Sequence, residues 1–112
     1  MQRVVPFVLF VLFLAGCGEQ VRFTPSADAP ANLAPVDEAR VKVVSAAPAG
    51  VVEMGRATST LNWMWADTAR SYVVRELGSH GATFVVLSES KQTNMAGVDD
   101  VTVTGTGYIT KP

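Results

Sequence analysis

Residues 66–90, ADTARSYVVRELGSHGATFVVLSES, contain a change of period that decides the fold class. Ala66, Ala69, Val73 and Leu77 recur at three- and four-residue steps, which lines them along one face of a helix, while Arg70, Arg75 and Glu76 fall on flanking or outward positions. Asn62 or Asp67 is placed to cap its start. Gly78 is placed to supply the left-handed residue that ends it, with Ser79, His80 and Gly81 completing the turn. The run from Ala82 to Ser90 is then continuously apolar at its centre, so it reads as the central strand of a sheet.

Working outward, both flanks read as extended chain. Upstream, Arg40 to Val44 has the alternation and β-branching of a strand, and Ser45 to Gly50, with Pro48, reads as the turn that ends it. Val51 to Thr58 reads as a second strand with Val52, Met54 and Arg56 on one face and Gly55 marking a bulge or a close backbone approach, so a hairpin with the first strand is expected. Downstream, Lys91 to Gly97 is a polar loop, and Val101 to Thr110 alternates β-branched residues with Thr, its glycines marking a bend. The expectation is an α+β domain in the order β-β-α-β-β: a small, mainly antiparallel four-stranded sheet with one helix packed on one face. It spans residues 39–112.

The amino end is of another kind. Val4 to Leu14 is uncharged and apolar behind the single cation Arg3, but eleven helical residues rise only about 16 Å, about half of a bilayer's hydrocarbon core. The run therefore reads as the core of a cleaved leader, residues 1–16. Leu14-Ala15-Gly16-Cys17 follows it and resembles the bacterial lipobox, in which the peptidase cuts between the positions of Gly16 and Cys17 and the cysteine thiol carries a diacylglyceryl group. Lipid attachment at Cys17 would tether the mature chain to the membrane on its extracytoplasmic side, since two or three acyl chains hold stably where one does not. Gly18 after the cysteine resembles the default for the outer membrane, which means its inner leaflet if the source is Gram-negative. Residues 17–38 are rich in Ala and Pro and read as a disordered tether with a reach of about 25 Å.

The 112 residues carry a formal charge of -1, with nine Lys and Arg residues scattered rather than clustered. One domain of about 70 residues excludes a multidomain enzyme, and the absence of a basic stripe argues against nucleic acid as a partner. Cys17 is the single cysteine of the chain, so once lipidated it leaves no thiol for a disulfide or a metal.

The lipobox, Met54-Gly55-Arg56-Ala57 after a strand, the helix before Gly81-Ala82-Thr83-Phe84-Val85-Val86-Leu87, and Gly105-Thr106-Gly107-Tyr108 together resemble a family of small bacterial lipoproteins. These are distantly similar to the periplasmic domain of the envelope-stress sensor lipoprotein RcsF. The resemblance implies an envelope-facing α+β domain with an interaction or sensing role. In those relatives the helix is followed by Gly-Ala-Asn, and cysteines clamp the segment before the glycine to the chain end. Here Thr83 takes the Asn position and the domain has no cysteine.

Residues that could carry chemistry are few. His80 is the only histidine, its neighbour Ser79 is too close in sequence to face it across a site, and no nucleophile-elbow pattern is present. One His with dispersed carboxylates makes no closed zinc set, and Asp99-Asp100 after Gly97 lacks the spaced ligands of a calcium loop. Glu53, on a strand, is the first carboxylate to inspect for acid/base work. No cofactor is implied, and a non-enzymatic role is expected. The densest unusual stretch is Leu61-Asn62-Trp63-Met64-Trp65, which holds both tryptophans. These side chains either cap the small core, line a ligand groove, or form an interaction surface for an envelope protein or the membrane. The function expected is that of a lipid-anchored interaction or sensing module with Trp63, Met64 and Trp65 as its contact surface; the alternative is a small-ligand-binding or enzymatic domain with a pocket between helix and sheet.

Overall fold

The helical period is realised in full. In the computed structural model, which describes residues 21–111, helix α1 (Ala66–Ser79) buries Ala66, Ala69, Val73 and Leu77, and Val74 and Gly78 widen the stripe. The leader and the lipobox, with Gly16 and Cys17, lie outside the described residues. The strands are β1 (Arg22–Pro25), β2 (Lys42–Val44), β3 (Val51–Asn62), β4 (Phe84–Thr93) and β5 (Asp99–Thr110), with single 3-10 turns at Glu38–Arg40 and Trp63–Trp65. They form one five-stranded sheet in the order β1-β3-β5-β4-β2. The α+β class holds, with one helix on one face of the sheet.

Three expectations are corrected. The sheet has five strands and is mixed, because β2 runs parallel to β4, pairing Lys42 with Phe84 and Val44 with Val86. The expected hairpin between β2 and β3 does not form. Both edges of β3 are taken, by β1 from Arg22↔Thr58 to Pro25↔Gly55 and by β5 along its length, so β2 finds its partner across the sheet. The central strand is β5 rather than β4, since β5 is flanked by β3 and β4 while the outer half of β4 from Ser88 onward is exposed.

β5 owes its place to its glycines. Val101, Val103, Gly105, Gly107 and Ile109 face the helix, while Thr102, Thr104, Thr106 and Tyr108 lie on the open face. A Cβ at Gly105 would stand 2.5 Å from Val73 Cγ1, and one at Gly107 would stand 2.8 Å from Met54 Sδ. The glycines thus bring the helix down onto the sheet instead of bending the strand. On β3 the register shifts between Glu53 and Gly55, as the position of Gly55 suggests, and this puts Arg56 out into solvent while Met54 is buried.

The helix ends one turn element later than the sequence implies. Gly78 is still helical, and Gly81 is the left-handed residue, with φ +105°. Ala82 N–H donates to the Leu77 carbonyl at 3.0 Å and Gly81 N–H to the Gly78 carbonyl at 2.9 Å, the paired bonds of a Schellman ending. Gly78 serves another purpose: a Cβ there would meet the Val36 carbonyl oxygen at 2.6 Å.

That contact exposes a further correction. From residue 21 onward, the stretch expected to be a disordered tether is an ordered strap. It supplies β1, passes Phe23, Ala29, Leu33 and Val36 over the core, and fastens Val36 N–H to the Gly78 carbonyl at 2.7 Å. Residues 21–38 are therefore part of the packed domain, correcting its expected start at residue 39. Small and proline residues order here because a sheet edge and two helix-end glycines give them backbone to lie against.

Candidate functional site at the tryptophan end of the sheet

Asn62 is the last residue of β3, and its side chain accepts a hydrogen bond from Met64 N–H at 3.0 Å. This caps the 3-10 turn Trp63–Trp65, and Ala66 then starts the helix. In a 3-10 turn three successive side chains point in three directions, so no packing against one core takes in all three rings and chains. Trp63, Met64 and Trp65 are 46%, 78% and 57% exposed. Met64 is thus mostly in solvent, and each tryptophan divides about evenly between covered and exposed surface.

Two further apolar residues reach the same end. Asn62 is level with Asp100, and Asp100 with Gln92, so the hairpin tip that joins β4 to β5 projects past the same last rung. That tip exposes Met95 completely and Val98 by 41%. It is held in shape by Asn94, whose Oδ1 accepts from Ala96 N–H at 2.9 Å and Val98 N–H at 3.1 Å. Sequence reading passed over Met95 as part of a polar loop. The available signal was a large apolar side chain in the middle of NMAG, where turn chemistry asks for none.

Charges around this end are mutually engaged. Lys91 Nζ lies 4.4 Å from the centre of the Trp63 ring and 3.4 Å from Asp99 Oδ2. The Thr93 hydroxyl donates to Asp99 at 2.7 Å, and that bond, followed by Lys91, holds the Asp99 carboxyl below its usual range. Arg70 reaches from the helix to Glu89 on β4 with a two-pronged grip, at 2.5 and 2.9 Å, and also binds Asp67. The grip lowers the pKa of Glu89 and raises that of Arg70, since each charge favours the other. Paired charges therefore flank the apolar tip.

The other candidate residues are occupied by structure. The Ser79 hydroxyl donates to the Glu76 carbonyl at 2.6 Å, and His80 Nε2 lies 3.2 Å from Glu76 Oε1, so the two side chains share no bond with each other. The His80 ring stacks on Phe23 with centroids 3.7 Å apart. Glu53 accepts from the Ser26 hydroxyl at 2.5 Å and lies 3.8 Å from Arg56. Asp99 and Asp100 open β5 rather than a cation loop, and among the described residues no group of three or more His, Cys, Asp or Glu side chains is arranged to hold a metal. A cleft of about 250 Å³ does lie between the strap and the helix end, lined by Phe23, Pro30, Leu33, Met54 and His80 among others. Among the described residues no helix is long and apolar enough to cross a membrane.

No family model matches the chain, and no curated protein matches it in sequence. Among solved structures it is similar to the crystal structure of the Francisella virulence factor FvfA. The match has a TM-score of 0.61 at 16% identity and covers 78% of this chain and 94% of that one. At that identity the likeness concerns the fold.

Proposed function

We propose that the chain is a lipid-anchored bacterial envelope protein whose domain is a non-enzymatic interaction or sensing module on the extracytoplasmic side, facing the periplasm from the inner leaflet of the outer membrane if the source is Gram-negative. The contact surface is the end carrying Trp63, Met64 and Trp65. The observation that carries this reading is the exposure of three large adjacent apolar side chains flanked by paired charges, in a chain whose Leu14-Ala15-Gly16-Cys17 resembles a lipobox. Exposed tryptophan and methionine suit association, because they bring contact area at low conformational cost.

The alternative reading, a pocket for a small ligand or substrate, draws on the cleft beside His80. Its weakness is chemical: the ring is stacked on Phe23, and the Ser79 hydroxyl is committed to a backbone carbonyl. Anchoring is tested by Cys17→Ala with labelled palmitate and membrane fractionation. The variant is expected to lose both label and processing. An unlabelled wild-type protein that still fractionates with membranes would overturn the lipoprotein reading.

A further inference from the structure

We infer that the tryptophan end docks on the lipid surface that holds the Cys17 anchor, so the partner of this contact surface is the bilayer itself. The inference rests on the lipid anchoring proposed above, and the direction of the first strand carries it further. β1 is antiparallel to β3, with Pro25 opposite Gly55 and Arg22 opposite Thr58. Followed backward from Pro25, the chain therefore runs toward Asn62 and leaves the sheet heading for the end that displays Trp63, Met64 and Trp65.

Length decides between the two ends. Arg22 lies five residue steps beyond Cys17, and those steps span at most about 18 Å when fully extended. Thr58 to Asn62 is four residues of strand, about 13 Å, so the leash reaches the tryptophan end with little to spare. Thr58 back to Val51 is seven residues, about 23 Å, which exceeds the leash. A domain standing on its opposite end would need a longer tether than the sequence contains. Standing on the tryptophan end, it meets the membrane with Trp63, Met64, Trp65, Met95 and Val98.

The chemistry of the tip fits a neutral interfacial layer. Tryptophan favours the headgroup level, where one edge of its ring is wet and the rest apolar, and the Lys91 ammonium lies over the Trp63 ring while pairing with Asp99. Asp99 is satisfied by Thr93 and Lys91, and Asp67 by Arg70, so no net basic patch is offered to anionic lipid. The contact is accordingly apolar and insensitive to salt.

Both tryptophans of the chain sit in this turn, so intrinsic fluorescence reports on the tip alone. Full-length lipidated protein is reconstituted into vesicles of phosphatidylethanolamine and phosphatidylglycerol at about 3:1, with and without lipids brominated in the upper acyl chain. Brominated lipid is expected to cut tryptophan emission at least about twofold, unchanged by high salt. The pair Met64→Asp and Met95→Asp, both at exposed positions, is expected to restore the emission, while Ala49→Asp at the opposite end leaves the quenching as it was. Emission indifferent to brominated lipid yet freely quenched by acrylamide would overturn the docking, as would photocrosslinking in cells from position 64 that captures a protein instead of lipid. Intact mass separates the two failures: lipid on Cys17 with an unquenched tip rejects the docking alone, and a Cys17 without lipid rejects the anchor together with the docking built on it.

Discussion

The strap over residues 21–41 and the turn Trp63–Trp65 bury their side chains in the opposite order to what bulk would suggest. The strap is largely alanine, proline and short polar residues, yet Phe23, Leu33 and Val36 pack against the core and Val41 lies within it. The turn holds the two largest side chains in the molecule and leaves both about half exposed. The difference lies in what each segment meets. The strap finds an open edge on β3 for four ladder pairs and two glycines, Gly78 and Gly81, whose missing Cβ atoms let its backbone lie within contact of the helix end. The turn leaves the sheet at Asn62, and its tight winding aims successive side chains apart. Burial follows backbone access before it follows hydrophobicity.

The comparison can be broken most severely at Gly81. Valine there would need to hold φ +105° and place its Cβ 2.5 Å from Leu33 Cβ, so Gly81→Val is expected to cost about 3 kcal/mol by thermal unfolding. A melting temperature close to wild type would show that the strap is not seated as described. Phe23→Ala removes the ring that stacks on His80 and crowds Gly55, and a loss of about 2 kcal/mol is expected, with earlier proteolysis of residues 21–38 than of the rest.

A smaller effect is expected where the strap meets the helix through charge. The Ser71 hydroxyl at 2.7 Å, and then Arg75, hold the Glu38 carboxyl below its ordinary value of 4.5. A carboxyl lowered in the folded state contributes stability above that value and loses it as pH falls through the folded one. Glu38→Gln should therefore cost under about 1 kcal/mol near pH 7, and the gap to wild type should narrow as pH falls below 4.5 in urea titrations. A gap that stays constant to pH 3 would locate the effect in shape rather than charge. Smallest of all for the fold, Met64→Ser, at a position 78% exposed, should leave unfolding within about 0.5 kcal/mol of wild type while weakening membrane quenching of a label placed at Met95. A large loss of stability would place this side chain in the core.

The buried face of the helix was legible in the sequence because its information is local: Ala66, Ala69, Val73 and Leu77 lie within four turns of one another. Gly55 also announced its irregularity, and the strand character of residues 51–58 and 101–110 was plain. What could not be read was pairing across long intervals. Lys42 joins Phe84 and Phe23 joins Ala57, and nothing near either residue states the partner. The Schellman ending was misassigned by three residues because Gly78 and Gly81 are equally permissive, and only the Leu33 and Val36 contacts separate their uses. At the site, Trp63, Met64 and Trp65 were visible as a cluster, whereas the approach of Met95 depended on two hairpin registers together.

The position of β5 in the middle of the sheet has a consequence for the order of events. It is the last strand of the five in chain order, and without residues 99–110 the other four form only two separate ribbons, β1 with β3 and β2 with β4. A two-stranded ribbon is marginal in water. Cooperative assembly therefore waits for the final strand, and a growing chain stays loose and threadable until nearly all of it has been made. If the chain is exported as proposed above, such a delay would keep its native contacts from forming before it has crossed the membrane.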